Sequence, residues 1–89
     1  MDWKFSADRP VYQQIVSIIR AGILTGELPP GEKIPSVRDL AAEAQVNPNT
    51  MQRALTELER EGLLVSGGTS GRTVTENPQV LEQLRDRTL

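Results

Sequence analysis

Residues 36–62 read SVRDLAAEAQVNPNTMQRALTELEREG, and the spacing in this stretch decides the fold. Ser36 is placed to cap a helix, with Asp39 three residues on as a short-armed version of the capping-box acid. Val37, Leu40, Ala41 and Ala44 then fall at i, i+3, i+4 and i+7, so one narrow side is apolar. After Gln45 and Val46, Asn47 supplies a second cap and Pro48 takes the first helical position, where its missing N–H costs nothing. Met51, Ala54, Leu55 and Leu58 repeat the same spacing, and Gly62 is placed for a left-handed stop. Two helices joined by a turn of about three residues make a helix-turn-helix. The register leaves Asn49, Thr50, Gln52, Arg53 and Thr56 on the solvated side of the second helix, crowded into its first turns. A recognition helix enters the major groove with that end toward the base edges, so the pattern suits DNA reading.

Upstream, residues 9–25 carry Val11, Tyr12, Ile15, Ile18, Ile19, Ile23 and Leu24 on a wide apolar face, which predicts a core helix capped at Asp8 and ended by Gly26. Leu28-Pro29-Pro30-Gly31 has proline and glycine placed for a type II turn. Ahead of the helix, Trp3 and Phe5 alternate as in a short strand or an extended arm that lays its rings on the domain. Beyond Gly62, the β-prone runs 63–66 and 72–75 flank the glycine-rich residues 67–71 and predict a hairpin. Asn77-Pro78 repeats the cap-and-proline start and opens a last helix with Val80, Leu81 and Leu84 apolar. The expected class is mainly α with a small β-hairpin, α+β in arrangement: a winged helix-turn-helix with a three-helix core, the hairpin as wing, and a short C-terminal helix. Residues 1–75 form the DNA-binding domain, and 76–89 a linker and the start of a C-terminal dimerisation helix.

The chain has 89 residues, enough for one compact domain. It has no cysteine and no histidine, which removes disulfides, thiolate metal sites and the commonest general base. Asp39, Glu43 and Glu57 sit at helix-surface positions without nucleophile-base or metal-ligand spacing, so no enzyme, catalytic residue, metal or cofactor is expected. The absence of a long apolar run or a signal-like start reads as a soluble cytoplasmic chain without a membrane partner. Net charge is −2, an unusual sign for a chain that neutralises phosphate. Its distribution is less adverse, because Lys33, Arg38, Arg53 and Arg72 lie in the segments expected to face DNA, while Glu57, Glu59, Glu61, Glu76 and Glu82 come later.

GELPPGEKIP (26–35), SVRDL (36–40), NPNTMQRAL (47–55) and LEREG (58–62) together resemble the N-terminal winged helix-turn-helix of the GntR family of bacterial transcription regulators, over roughly residues 10–75. The NPNT start is most like the short YtrA-like branch and similar also to the regulatory domain of the MocR branch. The resemblance implies a sequence-specific repressor that reads an inverted-repeat operator in double-stranded DNA as a homodimer; it indicates no particular effector. It places Arg38 on DNA after the cap serine, and it supports Thr50 and the position of Gln52 as readout residues. The expected DNA-facing set is Lys33, Ser36, Arg38, Asn47, Asn49, Thr50, Gln52, Arg53, Gly71 and Arg72. Gln52 suits adenine, and Arg53 suits guanine or phosphate, unless Arg53 pairs with Glu57 at i+4.

In the family the wing tip usually reads glycine, a variable and often basic residue, glycine, threonine, an aromatic, then valine. Here Gly71 and Val74 fit, while Thr69, Arg72 and Thr73 depart and Ser70 takes the variable place. Arg72 is the one basic residue left for phosphate or the minor groove, and a loop that only closes the hairpin is the other reading. Two readings of the tail also stay open: its apolar stripe faces a second copy, or it folds back over the first helix. The competing function is a winged helix that binds proteins without DNA, as the acidic balance would favour. Such a surface needs exposed apolar anchors, and the polar face of the second helix offers none.

Overall fold

The computed structural model describes residues 1–67 and 71–88; Gly68, Thr69 and Ser70 of the expected hairpin tip, and Leu89, lie outside the described residues. Along the chain come α1 (Val11–Thr25), α2 (Val37–Ala44), α3 (Pro48–Arg60), β1 (Leu64–Ser66), β2 (Arg72–Val74) and α4 (Pro78–Thr88). The helix-turn-helix forms as its spacing predicts. Ser36 Oγ accepts from the Asp39 N–H at 3.2 Å, and Asn47 Oδ1 accepts from the Asn49 N–H at 2.8 Å. Between the helices Gln45 adopts a left-handed φ of 58°, and the Gln45 and Val46 N–H groups return to the Ala42 and Ala41 carbonyls. This is a Schellman stop built on a residue that carries a Cβ. At the end of α3 the same motif recurs with Gly62 at φ 79°, as the glycine's position leads one to expect.

α1 and α2 both pack on α3. Ile15, Ile19, Met51, Leu55 and Leu58 are essentially fully buried, joined by Leu64 and Val74 from the hairpin. Burying a side chain of this size contributes about 1.5–3 kcal/mol, so a core of local helix contacts suffices for a small domain. Arg20 on α1 grips Glu61 just past α3 with both carboxylate oxygens engaged, at 2.6 and 2.8 Å from Nη2.

α1 begins two residues later than 9–25 predicts, and Asp8 does not cap it. Pro10 occupies the cap position and Val11 starts the helix without a side-chain cap. The reason is steric: the residue before a proline is disfavoured in the helical region, so Arg9 cannot lead into the helix. Asp8 instead accepts a hydrogen bond from the Ser6 hydroxyl, which with Arg9 nearby holds its carboxyl below the ordinary range. The buried carboxamide of Gln14 ties the N-terminal arm down, accepting from the Ser6 N–H at 2.8 Å and donating to the Ser6 and Arg9 carbonyls at 2.9 Å each. The arm is extended, not a strand, with the Trp3 and Phe5 rings 6.5 Å apart and Trp3 Nε1 donating to Glu43 at 2.6 Å.

The turn at Pro29–Glu32 closes with the Glu32 N–H on the Pro29 carbonyl at 3.1 Å and Gly31 at φ 83°, as a type II turn requires. The segment leading from this turn to α2 is more than a connection. Residues 31–34 lie along the outer edge of β2: Gly31 N–H donates to Val74 O, Val74 N–H to Glu32 O, and Ile34 N–H to Arg72 O, at 2.9, 2.9 and 3.0 Å. The hairpin thus gains a third, short edge that covers otherwise unpaired backbone groups. In the tail, Asn77 Oδ1 accepts from the Gln79 N–H at 2.9 Å and α4 folds back on the domain. Leu84 is buried, and Val80 and Leu81 pack against the core, so the stripe faces its own chain.

Candidate nucleic-acid interface

Burial of Met51, Ala54, Leu55 and Leu58 fixes the rotation of α3, and everything at the complementary spacing is turned outward. Asn49, Gln52, Arg53 and Thr56 therefore form one exposed row at i, i+3, i+4 and i+7. Thr50 is half-buried at its flank. Gln52 is exposed and its Nε2 donates to Thr56 Oγ1 at 3.1 Å, a bond that does not use its carbonyl oxygen or second N–H. Asn47 is engaged as a cap through Oδ1 and keeps its amide donors. Arg53 does not pair with Glu57, whose carboxylate lies 3.5 Å from Arg60. Instead the Arg53 guanidinium carbon stacks 3.7 Å over the ring of Tyr12 on α1. Sequence reasoning places Tyr12 in the core and misses this role.

A second group of expected residues gathers around α2. Lys33, Ile34, Pro35, Ser36, Val37, Asp39, Gly71 and Arg72 line one open groove of about 690 Å³. The backbone pairing of residues 31–34 with β2 is what brings Lys33 to the hairpin, where it bridges Thr73 and sets its Cε 3.8 Å from the place a Cβ on Gly71 would occupy. Gly71 itself has a left-handed φ of 83°. Arg38 is exposed, and neither it nor Lys33 has an ion-pair partner among the described residues. The groove is walled by an unpaired lysine, the N-terminus of α2 and glycine backbone, with the Asp39 carboxylate on the same wall.

Arg72 differs from the other cations. Its Nε donates to Glu59 Oε1 at 2.9 Å, and the Ser66 hydroxyl donates to Glu59 Oε2. These bonds, Ser66 first and Arg72 after it, hold the Glu59 carboxyl below its ordinary 4.5 despite partial burial. In the sequence Glu59 stands only among the late acidic residues. A signal is nonetheless present there, because Glu59 follows Thr56 by three along the exposed row and a hairpin folded about its glycines sets residue 66 opposite residue 72. Among the described residues no helix is long and apolar enough to cross a membrane.

The profile of bacterial regulatory proteins of the gntR family matches residues 11–74. The HTH-type transcriptional regulator YhcF of Bacillus subtilis (strain 168) is 38% identical over 87 residues, covering 98% of this chain and 72% of that one. The transcriptional repressor YtrA of the same organism is 43% identical over 68 residues, which are 76% of this chain and about half of YtrA, 52%. A solved GntR family transcriptional regulator from Listeria monocytogenes superposes with a TM-score of 0.90 at 39% identity, covering 94% of this chain and 74% of that one. The DNA-binding domain of AraR, solved in complex with an operator, superposes with a TM-score of 0.74 at 28% identity over 81% of this chain and 93% of that one.

Proposed function

Because the chain belongs to the GntR family of bacterial regulatory proteins and is a DNA-binding transcription regulator, not an enzyme, we propose that it represses by reading an inverted-repeat operator through α3. The observation that carries this reading is the exposed row Asn49, Gln52, Arg53 and Thr56, set opposite the buried row of the same helix. Laid in a major groove, it offers Gln52 the bidentate pattern of adenine and Arg53 that of guanine, each good pair discriminating by about 1–3 kcal/mol. Lys33, Ser36 and Arg38 would meet the phosphates beside that groove, and the hairpin would lie along the neighbouring backbone through Gly71. Asn47 and Thr50 flank the same end of the helix. The protein-interaction reading loses support because, among the described residues, the exposed large hydrophobics are Met1 and Val65, which are single residues and not anchors in a patch.

A single recognition helix specifies few base pairs, so we assign the working unit as a homodimer on two half-sites about 10 base pairs apart, acting in the cytoplasm. The YtrA repressor and the AraR operator complex support the repressor assignment by likeness. Selection of random duplexes on the purified protein tests it. The expected product is an inverted repeat whose half-site preference changes for Gln52→Ala. No enrichment over random duplex, or enrichment of sites that Gln52→Ala merely weakens uniformly, would remove α3 as the reader.

A further inference from the structure

Ser66 and Arg72 are ladder partners across the hairpin, and both direct their donors to one carboxylate, that of Glu59 on α3. The Arg72 and Glu59 side chains keep only 19% and 25% of their exposure, far from the open setting of Arg38 and Arg53. This ladder pair is the last before the hairpin loop, beyond which the Gly67 N–H on the Gly71 carbonyl closes the turn. A two-stranded hairpin is marginal by itself, so its angle to the recognition helix depends on what it is tied to. Toward the strand ends that tie is Leu64 and Val74 in the core. Toward the loop it is Glu59, beside the backbone bond from the Ile34 N–H to the Arg72 carbonyl.

We infer that Glu59 is a positioning residue that sets the wing against α3, and that Arg72 serves as the wing's anchor to Glu59 and not as a phosphate contact. The inference rests on the proposed DNA reading for its consequence, though not for its geometry. A bare carboxylate at that place would repel the DNA backbone, and the Arg72 guanidinium neutralises it while fixing it. The two roles predict opposite signs on mutation. If Arg72 were a phosphate contact restrained by Glu59, then freeing it would tighten binding and steepen the salt dependence.

The test is a double-mutant cycle on operator affinity with the full chain, read beside backbone 15N relaxation of the free protein at Gly67 and Gly71. Glu59→Ala and Arg72→Ala are each expected to weaken binding about threefold to tenfold, with the double variant no weaker than the worse single, as residues in one network behave. Both should loosen Gly67 and Gly71 in the absence of DNA. Binding by Glu59→Ala equal to or tighter than the parent's, with Arg72→Ala weakened, would overturn the inference. So would unchanged relaxation at both glycines. If the parent itself binds no duplex, the DNA reading fails, and the relaxation arm alone decides whether Glu59 holds the wing.

Discussion

The guanidinium carbon of Arg53 lies 3.7 Å from the centroid of the Tyr12 ring, so a residue of α1 orients an exposed side chain of α3. Tyr12 is half-buried at the start of its helix, with its hydroxyl accepting from Gln13 Nε2 at 3.3 Å. Stacking holds the guanidinium plane while leaving its N–H edges free to donate, which is the arrangement bidentate reading of a base or phosphate requires. An exposed cation–π contact is worth about 0.5–1 kcal/mol, so it works by preorganising the arginine and adds little to stability.

Tyr12→Leu should therefore weaken operator binding by about twofold to fivefold, whereas Tyr12→Phe, which keeps the ring, should bind as the parent does. In an Arg53→Ala background the Tyr12→Leu change should have no further effect. Titration of these variants and the parent against one labelled operator decides it. A loss in Tyr12→Phe equal to that in Tyr12→Leu would show that the hydroxyl, not the stacked ring, is what binding uses.

Arg38 and Gln52 should fail in different ways. Arg38 is exposed on α2 without an ion-pair partner among the described residues, and on the proposed reading it meets a phosphate: truncating it should lower affinity alike for every sequence, and the slope of log affinity against log salt should drop by about one. Gln52→Ala should leave that slope unchanged while altering which half-sites are preferred. Anisotropy titrations over a salt series, on operator and scrambled duplex, separate the two. An unchanged slope for Arg38→Ala would place its side chain away from the backbone.

The turn of the helix-turn-helix carries a correctable strain. Gln45 holds φ at 58°, a region where a side chain costs about 1–2 kcal/mol and glycine costs little. Gln45→Gly is expected to raise unfolding free energy by about 1 kcal/mol in urea, with m unchanged, since both backbone bonds of the Schellman stop are kept. Destabilisation instead would mean that the Gln45 side chain contributes more than its backbone costs.

What can be read from the chain is what is local. The caps at Ser36, Asn47 and Asn77, the stop at Gly62 and the buried rows of α2 and α3 each depend on residues within one or two turns, and all appear where the spacing puts them. The start of α1 is misread from sequence because a capping pattern at Asp8 competes with the constraint Pro10 places on Arg9, and the steric effect wins. The pairing of residues 31–34 with β2 and the stack of Arg53 on Tyr12 are not legible, and of the hold of Glu59 on Arg72 the sequence shows only that Glu59 continues the exposed row of α3 and that residues 66 and 72 face each other. Each joins residues from separate elements, and the helical or strand period of either partner says nothing about the other. Arg53 and Arg72 stand out in the sequence for their charge; what each touches within the free chain comes only from the fold.

The apolar stripe of α4 packs inward, with Leu84 at 5% exposure and Val80 and Leu81 against the same core, so the exposed residues of the helix include Gln79, Glu82, Gln83, Arg85, Asp86 and Arg87. Dimerisation of these 89 residues, if carried by α4, would then use a polar surface and be weak, while loss of Leu84 would act on the fold of each copy. Leu84→Ala should cost about 2 kcal/mol, the low end for a buried leucine, and the loss should be the same at every protein concentration. Were Leu84 buried against a second copy, the melting temperature of the parent would rise with concentration and the variant would lose that dependence. Melting curves over a wide concentration range, with sedimentation on and off a palindromic duplex, distinguish the two. We expect a concentration-independent transition without DNA and two copies per palindrome with it. A parent melting point that climbs with concentration, and ceases to climb in Leu84→Ala, would return the stripe to the dimer interface.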